Sequence, residues 1–174
     1  LGGVGIVDAI KDANGNTVWL NGDNSTELTF QFGGFMSETP VFFGGPGVAP
    51  IGINFSGGWA NFYAGTGGDQ DFITSPIASM LTSATNGTEW LNLVGGSTGT
   101  FCAGAGVDCT LQSFITAGTL GAIGSGAGNG FLDVSAGLGA ANANFDTNGV
   151  VGGHDLILGS SFNSNNATGA MFAS

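Results

Sequence analysis

Hydrophobic positions along this chain come in short runs separated by small and polar residues, which is the pattern of strands and turns. The run Glu27-Leu28-Thr29-Phe30-Gln31-Phe32 alternates with period two and puts Leu28, Phe30 and Phe32 on one face. Gly33-Gly34 follows as an expected bulge, and Phe35-Met36 continue the strand. Before it, residues 4–20 read as a hairpin around Asn14-Gly15, because a tight hairpin turn needs two residues that tolerate positive φ. Residues 21–24 form a second turn. Residues 39–58 hold Pro40, Pro46 and Pro50 and read as a long loop or edge segments. Trp59 to Ala64, Thr88 to Val94, Thr110 to Thr116, Phe131 to Val134, Asn142 to Phe145 and His154 to Phe162 are further expected strands. Residues 118–130 are rich in small side chains and offer only Leu120 and Ile123 as bulk.

One helix is expected near 75–84. Ser75-Pro76 supply a cap and first position, and Ile77, Met80 and Leu81 recur at helical spacing. The whole pattern predicts one all-β domain over 1–174, an antiparallel β-sandwich of jelly-roll type, with 163–174 as a polar tail.

Composition changes the picture in one direction. Charged residues are 7% of 174, where an average soluble domain has roughly a quarter. There are 35 Gly and 14 Phe, one basic side chain (Lys11) and no Arg. The net charge of −11 leaves no cationic footprint, so nucleic-acid binding and anionic membrane surfaces are disfavoured. No apolar run is long enough to span a bilayer. The first residues carry no basic segment and read as the start of a mature chain. A surface that is polar yet hardly ionic suits self-association or glycan decoration.

Cys102 and Cys109 enclose a short segment containing Gly104 and Gly106, and in an oxidising compartment they are expected to form a disulfide. Two Cys and one His do not make a structural zinc site. Calcium is the candidate ion: Asp12, Asn14 and Asn16 have the spacing of the start of a calcium loop but lack its later positions, so the stretch also reads as a plain turn. Asp146 and Asn148 are a second candidate pair. Sequons stand at Asn24, Asn54, Asn86 and Asn166.

Residues 128–162 resemble bacterial PEP-CTERM surface proteins. The likeness lies in Gly128-Asn-Gly-Phe-Leu-Asp-Val134, Ala143-Asn-Phe-Asp-Thr-Asn148, Gly153-His-Asp-Leu156 and Ser160-Ser-Phe162. It covers about a fifth of the chain. The resemblance implies secretion and a role in matrix, floc or surface layer, and brings no catalytic residues. Pro-Glu-Pro, a terminal apolar helix and an Arg cluster, which mark that group, do not occur in these residues.

Catalytic patterns are thin. His154 and Asp155 are neighbours on an expected strand, so they point to opposite faces and Asp155 does not orient His154. No nucleophile elbow occurs. Carboxylate pairs such as Asp69 with Asp71, or Glu89 with Asp133, are not selected by spacing. Glycine-rich runs precede a strand, where a nucleotide site needs a helix. Trp59, Tyr63 and Trp90 are either core or a sugar-binding platform.

The expectation is therefore an extracellular, non-enzymatic structural protein that assembles with itself into a filament or matrix, without a cofactor unless calcium. The alternative is a secreted carbohydrate-binding β-sandwich, calcium-assisted, with extracellular polysaccharide as partner. In the first reading residues 1–10 are an assembly strand: Val4, Ile6 and Ala9, or Val7 and Ile10, fill pockets of a neighbouring copy.

Overall fold

The structure is a computed structural model describing residues 2–37, 40–43, 45, 50–66, 77–96, 109–119, 122–137 and 139–163. It is all-β. Eight strands form one antiparallel sheet: β1 (Gly3–Ile6), β4 (Thr26–Ser37), β5 (Val41–Phe42), β6 (Ile51–Thr66), β7 (Thr88–Gly95), β8 (Leu111–Thr119), β9 (Ala122–Val134) and β10 (Leu156–Asn163). A separate hairpin pairs β2 (Ala9–Lys11) with β3 (Thr17–Leu20). Two helices complete it, α1 (Ile77–Ala84) and the short α2 (Asn142–Phe145). This ladder order does not by itself divide the strands into the two facing sheets of a jelly roll.

The long strand β6 is the centre. One edge carries β4, with Phe30 opposite Phe62, and β5 beyond it. Its other edge carries β7 and β8 end to end: Val94 faces Trp59 and Leu111 faces Phe55. Strand β9 then pairs with both, through Gly95 to Leu132 and Leu111 to Gly130. So β7 and β8 are one line of the sheet, interrupted by the segment between Gly96 and Thr110. The two junction residues keep the ladder hydrogen bonds. Gly96 N–H donates to the Phe131 carbonyl at 2.9 Å, and Thr110 N–H to the Phe55 carbonyl at 2.8 Å. β10 pairs with the outer edge of β9.

The core lies on one face of this sheet: Phe35, Ala60, Leu91, Leu93, Leu111 and Leu132. Leu156 and Leu158 of β10 pack against it while Ile157, between them, is 66% exposed, the alternation expected of a half-buried strand. At the β1–β4 end α1 covers the sheet. Met80 and Ala84 are buried, and the Thr29 hydroxyl donates to the Ala84 carbonyl at 2.8 Å, satisfying a group that the helix end leaves without an intrahelical partner.

Several expectations are corrected. Residues 4–20 are not one hairpin. The chain turns at Val7-Asp8, so β1 joins β4 of its own chain, with Val4 opposite Gln31 and Ile6 opposite Thr29, and only β2 and β3 pair around Asn14-Gly15. Gly33-Gly34 is not a bulge: Gly33 pairs with Trp59 and Phe35 with Gly57 in unshifted register. Gly34 bends the strand instead, at φ 73°, beside Gly57 and Gly58 at 66° and 97°. Residues 51–58 of the expected loop at 39–58 belong to β6, and most of the small-residue stretch at 118–130 belongs to β9. Asn142 to Phe145 is helical. Helix α1 matches the expected helix, whose cap at Ser75-Pro76 lies outside the described residues.

Candidate functional site

Two places on the sheet gather side chains with chemistry. The first is a cavity of about 380 Å³ between the β2–β3 hairpin and the main sheet, lined by Ile10, Trp19, Thr26, Glu27, Leu28, Ala64 and Trp90. The hairpin is tied to the sheet around it. Val7 N–H donates to the Leu28 carbonyl at 2.8 Å, and Asn21 N–H to the Asp8 carbonyl at 2.9 Å. Trp19 Nε1 donates to Thr26 Oγ1 at 3.3 Å, and that hydroxyl donates to the Asp23 carbonyl at 2.6 Å. Phe145 braces Trp90 edge-to-face, with ring centres 5.5 Å apart. Glu27, 4% exposed, alternates with Thr26 and Leu28 along β4, and its side chain lies beside Gly65 on the other face of the sheet. Of Trp59, Tyr63 and Trp90, weighed as core or as a sugar platform, Trp59 lies over Gly33 and Gly34, while Trp90 lines the cavity and packs against the core.

The second place is the loop after α2. Asn142 anchors the loop's start: its Oδ1 accepts the Asn92 N–H at 3.0 Å and its amide donates to the Ser135 and Gly137 carbonyls. Asn148 Nδ2 donates to Asp146 Oδ1 at 3.2 Å. Asp155 closes the loop from its far end. Its Oδ1 accepts the Thr147 and Asn148 N–H groups at 2.7 and 2.6 Å, and its Oδ2 accepts Val134 N–H at 2.8 Å. Burial works against this charge, but the N–H donors of Asn148, Val134 and Thr147, with the nearby imidazole of His154, outweigh it and hold the carboxyl below the ordinary 3.8.

Sequence reasoning paired Asp146 with Asn148 and stopped there. The signal it missed is register. From Asn144 to Asp155 the chain has oxygen side chains at positions 1, 3, 5 and 12 of a twelve-residue loop, with Gly149 at position 6. Asn replaces Asp at the first position and Asp replaces Glu at the last. The donors are hard oxygens, the type calcium takes. Among the described residues no three His, Cys, Asp or Glu side chains gather at metal-binding distance, so Asn and backbone carbonyls would have to complete any such site.

The other calcium candidate is closed on itself. Asp12 Oδ1 accepts the N–H groups of Asn14 and Asn16 at 2.9 and 2.8 Å, and Oδ2 accepts Asn16 Nδ2 at 3.0 Å. The Asn16 side chain and the loop N–H groups lower its pKa. These bonds are those of a turn.

His154 is oriented by Asp133, not by Asp155. Its Nδ1 sits 2.8 and 3.0 Å from the two Asp133 oxygens, and its ring stacks on Phe131 at 5.0 Å. Nε2 is buried without a partner among the described residues. No hydroxyl or thiol nucleophile is placed on it by any described contact. Its partner Asp133 and Glu89, a carboxylate pair that spacing does not select, lie on β9 and β7. Asp69 and Asp71 lie outside the described residues.

Asn54 is corrected as a glycan acceptor: it is 2% exposed and its Oδ1 accepts from Gln112 Nε2 at 2.7 Å within the sheet. Asn24 and Asn86 are exposed, and Asn166 lies outside the described residues. Cys109 is 1% exposed, and no free cysteine occurs among the described residues. Its expected partner Cys102 lies outside them. Of the assembly residues, Val4 and Ile6 stand on β1, Ala9 and Ile10 on β2, and Val7 between the two. No helix among the described residues is long and apolar enough to cross a membrane. Comparison with protein-family models, curated proteins and solved structures finds no match.

Proposed function

We propose that this is an extracellular, non-enzymatic structural protein of filament or matrix, assembled from copies of itself, as its resemblance to PEP-CTERM surface proteins implies. The observation that supports the reading is the pair of sheet ends. Among the described residues β1 and β10 terminate the eight-stranded sheet, and neither strand carries a charge or a proline. Monomeric β proteins guard such edges with Lys, Pro or bulges, because an open edge is a template for another chain. Purified protein imaged by negative stain without added ligand should show ordered polymers. A monomeric protein retarded on a polysaccharide gel would favour the carbohydrate-binding alternative instead.

The Cys102–Cys109 disulfide belongs to the same reading, since extracellular chains keep such bonds. It would close the eight residues from Cys102 to Cys109 with about 2.5 kcal/mol from loop entropy. Intact mass after alkylation should show no modified cysteine until reductant is added. Two alkylated cysteines in the unreduced native protein would remove the bond.

A further inference from the structure

We propose that the cavity between the β2–β3 hairpin and the main sheet binds a small neutral aromatic molecule, held by the Trp19 and Trp90 indoles and an apolar floor without charge. Register decides what faces the space. Ile10 and Trp19 pair across the hairpin and are half-buried, whereas Val18 and Leu20 on either side of Trp19 are exposed, so Ile10 and Trp19 form the inner face. Leu28 and Ala64 pair across β4 and β6 and make the floor, which is low where Ala64 is short. Glu27, between Thr26 and Leu28, turns its side chain to the opposite face and borders the space through its main chain. The volume of about 380 Å³ lies in the range of small-molecule sites, where close-packed interiors keep few voids larger than one water. Both indoles are held in place: Trp19 by its hydrogen bond to Thr26, Trp90 by the edge-to-face contact with Phe145.

Other ligand classes fit this wall less well. Among the described lining residues no charged side chain faces the space, so neither a cation nor an anion is neutralised there. The Thr26 hydroxyl accepts from Trp19 and donates to the Asp23 carbonyl, so a sugar would bury hydroxyls that find few partners, at a cost. A flat aromatic ring gives up no polar contact on entry and meets indoles in offset or edge-to-face packing.

The experiment uses toluene as the neutral ring, with benzylammonium and benzoate as charged rings of similar size, followed by the indole N–H signals in a ¹⁵N correlation spectrum. The chain has three Trp, so Trp59, over Gly33 and Gly34, serves as an internal reference. Toluene should shift the Trp19 and Trp90 signals saturably, with a Kd on the order of a millimolar, and leave Trp59 in place. Both charged rings should bind at least about tenfold more weakly. Ala64→Leu raises the floor and should abolish the toluene shifts. Unmoved Trp19 and Trp90 signals would overturn the site, and a charged ring binding as tightly as toluene would overturn the neutral class. Undiminished toluene binding by a folded Ala64→Leu protein would put the ligand elsewhere and overturn the proposal too. Should that variant fail to fold, the comparison of toluene with the charged rings on the unmodified protein still decides. Shifts induced by methyl glucoside but not by toluene would overturn the proposal in favour of a sugar site. None of the lining residues stands on β1 or β10, so toluene binding and assembly through the sheet ends succeed or fail separately.

Discussion

At the scale of single residues the molecule replaces charge with backbone and amide hydrogen bonding. Asn92 shows the pattern: its amide donates to Asn61 Oδ1 at 3.3 Å and its own Oδ1 accepts Gly139 N–H at 2.9 Å. Asp155 is the charged counterpart, accepting three backbone N–H groups that join β9 to the loop before β10. Its pKa is lowered on folding, so the stability it contributes is complete above the unfolded value of 3.8. That contribution is lost as pH falls from there through the folded value. In calcium-free buffer Asp155→Ala should cost about 2 kcal/mol at pH 6. The gap between variant and parent should narrow in urea melts below pH 3.8. A gap independent of pH would mean the carboxylate charge contributes nothing. Gly58 makes a steric argument at the same scale. Its φ is 97°, and a Cβ there would come within 2.3 Å of the Phe35 ring. Gly58→Ala should lower stability by roughly 2 kcal/mol or more, through both strain and core displacement, read as a lower urea midpoint. An unchanged midpoint would mean that the ring relaxes freely.

At the scale of elements, what could be read from the sequence followed bulk. Strand β4 and helix α1 carry large apolar residues at clean spacing, and both were legible. Of strand β9 only Phe131 to Val134 was, because Gly126, Gly128 and Gly130 offer no hydrophobic period before them. Its pairing on both sides is the reason for those glycines: a Cβ at Gly130 would meet the Thr110 carbonyl at 2.6 Å, and one at Gly128 the Ser160 hydroxyl at 2.9 Å. Central position in the sheet, a tertiary fact, overrides weak strand propensity there. The start of β6 hid behind Pro50 for a similar reason, since a proline just before a strand looks like loop. Asn142 to Phe145 alternates like a strand but folds as a helix, because Asn142 fastens the turn to β7 and Phe145 packs on Trp90. In the candidate site, Asp146 and Asn148 were visible as a pair, whereas Asp155 had been weighed only as a partner for His154. The loop from Asn144 to Asp155 yields a prediction at this scale. Millimolar calcium should raise the melting temperature, because an ion bound by the folded form alone stabilises it. Asp146→Asn combined with Asp155→Asn should abolish the rise, while Asp12→Asn should leave it. Melting curves indifferent to calcium and to chelator would exclude a specific site.

At the scale of the whole molecule the sheet, among the described residues, has two ends, β1 and β10, and neither strand carries a charged side chain with which to repel a neighbouring edge. The β1 end is shaped by its own chain: Gly3 and Gly5 lie beneath the rings of Phe32 and Phe30, so close that a Cβ on Gly5 would fall 2.3 Å from Phe30. That seating fixes the inner edge of β1 on β4 and leaves its outer edge facing away. The β10 end is open along Ile157, Gly159, Ser160 and Ser161, all exposed. A contact joining the β1 edge of one copy to the β10 edge of the next uses two different surfaces. Repeated without closure it gives a filament, not a dimer. This edge-to-edge mode keeps Val4 and Ile6 in their own sheet and so needs no exchange of strands. Gly159 is where the idea can be tested cleanly. A Cβ at Gly159 would meet nothing within 4 Å, so a lysine fits the folded monomer without displacing a neighbour. The same lysine would put charge on the contact edge, the device that natural edge strands use against pairing. Gly159→Lys should therefore melt within a few degrees of the parent, as surface substitutions do, yet form no filaments under negative stain. Filaments of normal length from a normally folded Gly159→Lys protein would rule out β10 as the contact. Removing residues 1–7 tests the other end, because without β1 the partner edge is gone and Phe30 and Phe32 are uncovered. If filaments survive both changes, assembly does not run through the sheet ends.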